Sequence, residues 1–263
     1  GEISVTTLDI GGTNVTSDAT ELNLLDGKAA TNLALLGKTE GTNFTDSLLV
    51  GHATTGTLST AIQNTGVGID ALDAIATGDR NTAVGFSTLT ASTNGSYNTA
   101  IGNQAMTAQG SGGANTAIGS NSLQSNSTGS DNTALGYLAL GNATEEKNTA
   151  LGGNAGRLIS TGLSNIAIGY NSGDNITSGD GNVIIGSINA DSATGDKQLI
   201  LADGVDGSVA WLKGDSSGNL TFPGALQVSG AVTVGVDDTG LDVKLFGATS
   251  GAYMLWDEST DDL

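Results

Sequence analysis

Asn98-Thr99-Ala100-Ile101-Gly102 recurs one 17-residue step later as Asn115-Thr116-Ala117-Ile118-Gly119, and this repeat decides the architecture of the chain. Pentapeptides of the same type recur with the same 17-residue step, shortened by one position at two places, beginning at Ser47, Asn64, Asn81, Asn132, Asn148, Asn165, Asn182 and Gln198. A sequence that repeats itself at a short fixed period indicates a stacked array of one small structural unit.

Within each unit, the pentapeptide alternates in the way that is typical of a short β-strand. Its Thr and aliphatic residue face one way, and its Ala and Gly face the other. We predict an all-β fold, a parallel β-solenoid of 17-residue coils, in which the aliphatic residue points inward. The predicted core residues are therefore Val84, Ile101, Ile118, Leu135, Leu151, Ile168 and Ile185.

Three further positions of the unit carry a pattern. An apolar residue stands eight positions after the Asn, at Leu72, Leu89, Met106, Leu123 and Leu140. A glycine stands fourteen positions after the Asn, at Gly78, Gly95, Gly112, Gly129, Gly162 and Gly179, and predicts a corner that needs positive φ. The repeated Asn predicts a ladder of side-chain amides, each bonded to the next coil.

The segments on either side of the array differ from it. Residues 1–46 form an N-terminal segment, in which Asp18 and Glu21 have capping-box spacing and Gly27 suits the end of a short helix. Residues 47–203 are the array. Residues 204–263 show period-2 alternation with Gly and Asp turns, which predicts a strand-rich module, and the end at Leu263 soon after a strand predicts a truncated one.

Composition limits the classes of function. The formal charge is −19 with only eight basic residues, which disfavours nucleic acid as a partner. The chain has no cysteine, so thiolate metal sites and disulfides are excluded. No apolar run reaches membrane-spanning length, so we expect no membrane insertion. With 41 glycines but one proline, the chain does not have a proline-rich or collagen-like composition.

Residues that could carry chemistry are few, and we predict no enzyme, no cofactor and no metal site. His52 is the one histidine and has no cysteine partner, so a surface position is expected. The carboxylates at 203–206, 237–238, 257–258 and 261–262 could ligate Ca²⁺ but lack EF-hand spacing, so solvated turns are favoured. Trp211 and Trp256 could bind sugar rings, although the core of a small β module is the favoured place for both.

The small Ala of each strand suggests the close approach of another backbone, and we predict an identical chain around a threefold axis. The alternative is that Ala and Gly simply fit inside a narrow monomeric coil. Neither the period nor the composition distinguishes three solenoids lying side by side from three chains wound together.

Three stretches resemble one family. Residues 20–27 resemble the short helical repeats of tailed-phage fibre proteins. The array is similar to the shaft repeats of those proteins and to the head domain of bacterial trimeric autotransporter adhesins, whose repeat is usually shorter. Residues 235–248 and 255–258 are similar to a segment that recurs in virion fibre proteins of marine phages, including cyanophage-like ones.

The resemblance implies a homotrimeric, non-enzymatic fibre shaft in a phage virion that supports host attachment. Its implied partners are other copies of the chain, other virion proteins, and a host receptor or glycan. A receptor-binding tip, a self-cleaving chaperone domain and a membrane anchor are not recognisable in the sequence. The alternatives are a bacterial trimeric surface adhesin, an extracellular filament subunit and, more distantly, a polysaccharide-degrading tailspike.

Overall fold

The computed structural model of the chain describes residues 8–10, 13–15, 37–39, 46–51, 60–230, 243–246 and 253–256. All regular structure within these residues is β. The strands are β1 Leu8–Ile10, β2 Thr13–Val15, β3 Gly37–Thr39, β4 Leu48–Val50, β5 Thr65–Val67, β6 Thr82–Val84, β7 Thr99–Ile101, β8 Thr116–Ile118, β9 Thr133–Leu135, β10 Thr149–Leu151, β11 Ile166–Ile168, β12 Val183–Ile185, β13 Leu199–Ala202, β14 Ala210–Gly214, β15 Leu220–Thr221, β16 Val243–Phe246 and β17 Tyr253–Trp256.

The array folds as a parallel β-solenoid, as its period predicts. The ten strands β4 to β13 lie in sequence order in one parallel sheet, so each repeat unit of the sequence makes one coil. The register places like beside like: Thr99 pairs with Thr116, Ala100 with Ala117, and Ile101 with Ile118. Backbone hydrogen bonds also join the turns of successive coils, for example from the Leu123 N–H to the Ala139 carbonyl at 3.0 Å.

The side of the strand that faces the core is the opposite of the predicted one. The central Ala of the strand is fully buried, as at Ala100 and Ala117, and the opposite wall supplies large buried side chains. That wall consists of the residues eight positions after the Asn, Leu72, Leu89, Met106, Leu123 and Leu140. The predicted core residues Val84, Ile101, Ile118, Leu135, Leu151, Ile168 and Ile185 lie on the outer side of the sheet, half-buried or exposed.

The physical reason is the thinness of the coil. The wall opposite the strand supplies most of the large buried side chains, and in the coil of Gly66 it supplies two, Leu72 and Ile75. Only Ala or Gly then fits on the inner side of the strand, as the alternative of a narrow coil requires. Because strand side chains alternate, this choice turns the aliphatic residue outward. The array ends follow the same logic, since Ile184 is buried where the opposite position is the small Ala190.

In some coils, the large buried side chain of the inner wall comes from a position three residues later. In two coils the large residue is replaced by Gly156 or Gly173, and an isoleucine three positions later, Ile159 or Ile176, is fully buried instead. A Cβ built on Gly156 would lie 2.8 Å from the Ile159 Cδ1, so the isoleucine occupies the space that a leucine fills elsewhere.

The corner glycines do not have the predicted conformation. None of Gly78, Gly95, Gly112, Gly129, Gly162 and Gly179 has positive φ; the glycines that end the strands do, as at Gly119 with φ +139°. A Cβ on any of the six would instead overlap the carbonyl oxygen of the next coil. Close contact between coils therefore selects glycine at this corner. Leu123 and its equivalents adopt the left-handed region, with φ between 48° and 61°, as do residues that directly precede the repeated Asn, such as Tyr97 and Ala114.

Antiparallel strands cover both ends of the array. β3 pairs with β4 at one end, and β14 and β15 extend the sheet beyond β13 at the other. The compact unit accordingly runs to Pro223, and the second unit begins at Gly224, later than the predicted boundary at residue 204. The second unit contains the β16–β17 hairpin. The predicted helix near residues 18–27 lies outside the described residues.

Candidate interaction surfaces

The outer side of the parallel sheet presents a continuous apolar surface, which we call the strand face. It consists of the first and third residues of strands β4 to β13, mostly Thr in one row and Val, Ile or Leu in the other. The side chains of Val84, Ile101, Leu135 and Leu151 are 36% to 44% exposed. Nine strand spacings of ~4.8 Å make these rows on the order of 40 Å long. An exposed aliphatic row of this length is typical of an interaction surface.

A ladder of buried asparagines holds the coils in register beneath this face. The Asn98 Oδ1 accepts the Asn115 backbone N–H at 3.0 Å, and the Asn115 Oδ1 accepts that of Asn132 at 3.0 Å. The Asn115 Nδ2 also donates to the Gly129 carbonyl at 2.9 Å, which joins the two sides of its own coil. The ladder begins at the Ser47 hydroxyl and ends at the Gln198 amide. The predicted amide ladder is thus confirmed, and six of its asparagines also donate to a corner glycine carbonyl.

A second exposed feature runs along the corner that follows each strand. The residues after the strand-ending glycines form this corner ridge: Ile69, Phe86, Asn103, Ser120, Tyr137, Gly153, Tyr170 and Ser187. Tyr137 and Tyr170 are 56% and 61% exposed. The Tyr170 ring lies against Gly153 of the preceding coil, where an added Cβ would be 3.4 Å from its Cδ2.

A cleft of about 390 Å³ lies at the last coils of the array, where the 17-residue repeat stops. It is lined by Tyr170, Asn171, Ser187, Ile188, Asn189, Val205 and Asp206. The Asn171 Oδ1 accepts a hydrogen bond from the Asn154 Nδ2 at 3.0 Å, and the Asp206 Oδ1 accepts the Ser208 N–H at 2.9 Å. In the described part of the chain, the other polar side-chain atoms of the lining make no hydrogen bond.

The wall of this cleft near Asp206 is fixed by a turn around Asp203. The two carboxylate oxygens of Asp203 accept the backbone N–H groups of Val205, Asp206, Gly207 and Val209 at 2.8 to 3.3 Å. These bonds, that of Val209 foremost, lower the pKa of Asp203 to about 2. The carboxylate therefore serves a backbone turn, which agrees with the favoured prediction of a solvated turn at residues 203–206.

Basic side chains tie adjacent coils together on the surface. Arg157 makes two hydrogen bonds of 3.1 Å to the Asp174 carboxylate, and this bonding raises the pKa of the guanidinium. Arg80 donates to the Tyr97 hydroxyl at 2.7 Å and lies 5.3 Å from the centre of its ring. Both pairs join residues that are 17 positions apart, so each connects one coil with the next.

The other candidate residues have the following positions. His52 and the carboxylates at 237–238, 257–258 and 261–262 lie outside the described residues, and Trp256 is the last residue of β17. Trp211, for which a core position was favoured, is 59% exposed on β14. Among the described residues, no group of three or more His, Cys, Asp or Glu side chains could hold a metal ion. No helix among the described residues is long and apolar enough to cross a membrane.

Comparisons with known proteins return nothing for this chain: no protein-family model matches it, and neither a curated protein nor a solved structure is detectably similar.

Proposed function

We propose that this chain is a non-enzymatic shaft segment of a homotrimeric phage virion fibre, an extracellular part of the particle that supports host attachment. The observation that carries the proposal is the strand face, a row of outward aliphatic side chains along every coil of the array. Leaving such a row in water is unfavourable, and covering it with protein removes that cost. The resemblance of the repeats to fibre shafts supplies the threefold state and the virion.

The repeat length favours another copy of the chain as the cover. The face offers one aliphatic residue per coil, beside a Thr in six of the ten strands, at the spacing of parallel strands. A partner must repeat at the same spacing to match the face over ten coils. An identical chain meets this requirement because it has the same repeat. Side-by-side solenoids fit this better than chains wound together, because each chain closes its own core of Ala and Leu.

A filament subunit that grows end to end is less well supported. A parallel solenoid that polymerises in this way needs a free sheet edge at each end of its array. Here β3 covers the β4 edge and β14 covers the β13 edge, both in antiparallel pairing. Covering the terminal strands is the usual protection against edge-to-edge addition. The bacterial trimeric adhesin remains the alternative, since it would use the same face.

The proposal is tested by locating the protein. Antibodies raised against the 263-residue chain are expected to decorate fibres on virions purified from the source, seen by immunogold electron microscopy. Antibodies preabsorbed with the chain serve as the control for specificity. Labelling of bacterial cell surfaces with unlabelled virions would contradict the phage fibre and favour the adhesin.

A further inference from the structure

We propose that the cleft beside Tyr170 binds one pyranose ring of a neutral saccharide. This inference rests on the proposed function, because it gives the fibre a contact with host glycans, and it assigns that contact to a particular site. The cleft volume of about 390 Å³ lies in the range of small-molecule sites and exceeds the space that a single sugar ring needs.

The aromatic side chain supplies a stacking surface. The Tyr170 ring rests on Gly153, which has no side chain to displace it, and Gly153 does not line the cleft. Tyr170 lines the same cleft as Ser187 and Asp206, so its aromatic surface borders the space that a ligand would occupy. The C–H groups on one face of a pyranose are apolar and pack against such a ring, while the Tyr hydroxyl remains available at its edge.

The rest of the lining supplies hydrogen-bond partners for hydroxyl groups. The Asn171 Nδ2, the Asn189 amide and the Ser187 hydroxyl are available as donors, and the Asp206 Oδ2 is available as an acceptor. Adjacent sugar hydroxyls each donate and accept, so they match a set of amides beside a carboxylate. Ile188 and Val205 complete the lining with apolar surface.

The charge of the site selects among saccharides. Asp206 lines the cleft, Asp203 lies three residues away at the same turn, and no basic side chain lines the cleft. A carboxylated or sulfated sugar would meet carboxylates without a cation to compensate, in a chain of net charge −19. Neutral hexoses and N-acetylhexosamines are therefore the expected class, and uronates and sialylated sugars are disfavoured.

The array provides a matched control for the aromatic contact. Tyr137 occupies the same position of the repeat two coils earlier and is as exposed as Tyr170, but it does not line the cleft. Removing Tyr137 changes the same amount of surface aromatic area without touching the proposed site.

Saturation-transfer NMR on the full chain in its solution assembly tests the site, with the methyl glycosides of glucose, galactose and N-acetylglucosamine as probes and glucuronate as the anionic comparison. We expect at least one neutral probe to receive saturation at its ring protons. Tyr170→Ala should weaken that binding about tenfold or more, which corresponds to ~1.4 kcal/mol. Tyr137→Ala should leave it unchanged, and Tyr170→Phe should retain most of it.

Asn189→Ala gives a second variant should Tyr170→Ala fail to fold, because Asn189 is exposed and its side chain bonds to nothing in the described chain. It should weaken binding while thermal melting is unchanged. Absence of saturation with every neutral probe, an equal loss with Tyr137→Ala, or glucuronate binding as tight as glucoside binding would overturn the proposal. A chain that fails here but has the mass of a trimer would leave the fibre proposal intact.

Discussion

Asn115 shows how one buried side chain holds three coils together. It is fully buried, accepts from Asn132, and donates to Asn98 and Gly129. Each of these bonds satisfies a polar group that water does not reach inside the coil. The repeat therefore keeps asparagine because its amide is both donor and acceptor at one position.

Replacing Asn115 by Ala should destabilise the fold by about 1 to 3 kcal/mol, because the Asn132 N–H would be left buried without a partner, whereas the Gly129 carbonyl would still accept from the Asn126 Nδ2. Chemical denaturation followed by circular dichroism measures the change. Asn103→Ala is the matched control, since Asn103 is exposed on the corner ridge, and it should change stability by about 0.5 kcal/mol or less. Equal effects of the two substitutions would contradict the ladder.

The stability of the turn around Asp203 should depend on pH. Its pKa in the folded chain, about 2, lies below the ordinary value of 3.8 because four backbone N–H groups bind the carboxylate. The stabilisation of the turn is then fully present above the ordinary value and is lost as the pH falls through about 2. NMR titration of the Asp203 carboxyl carbon should give a midpoint near 2. A midpoint in the ordinary range would show that the turn does not form as described.

At the scale of the element, two positions of the inner wall, three residues apart, can each supply the large buried side chain of a coil. Gly156 is followed by the buried Ile159, whereas Leu123 is followed by the polar Asn126 at the same spacing. The isoleucine thus replaces a leucine that would reach the same space from a different backbone position. A double-mutant cycle can measure this exchange directly.

Ile159→Ala should cost about 2 to 5 kcal/mol through the cavity that it leaves. Gly156→Leu alone should cost about 1 to 3 kcal/mol, because its Cβ would lie 2.8 Å from the Ile159 Cδ1. The double variant should be more stable than the sum of the two losses predicts, since a leucine already adopts this left-handed conformation at Leu140, with φ 50°. Additive losses in denaturation experiments would refute the exchange of volumes.

The element scale also shows what the sequence can and cannot predict. The 17-residue period predicts the parallel solenoid, because every coil must repeat its contacts with the next. It cannot predict which side of Ala117 and Ile118 is the inside, since alternation is symmetric and the answer depends on the opposite wall. Nor does it predict the left-handed conformation of Leu123, or the cleft at Tyr170, which forms where the repeat ends and has no periodic signal.

At the scale of the whole molecule, the outward position of Ile118 changes the effect expected of a charge there. In a buried position, Ile118→Asp would unfold the middle of the array. On the strand face it should leave the coil folded and break contacts between chains, because three carboxylates would be buried near one another. We expect an unchanged β spectrum in circular dichroism and a fall in molar mass.

Ser111→Asp is the control for this substitution. Ser111 is exposed and does not belong to the strand face, so it adds the same charge elsewhere on a coil of the array. This variant should keep the mass of the unmodified chain. An Ile118→Asp variant that also keeps that mass would move the contact between chains away from the strand face.

The molar mass of the unmodified chain, measured by light scattering behind a sizing column, tests the central claim most directly. Three chains of 25.9 kDa that associate through their strand faces predict about three times that mass. A stable species of 25.9 kDa with a full β spectrum would contradict the trimeric fibre, because the aliphatic row would then stay exposed to water in the folded chain.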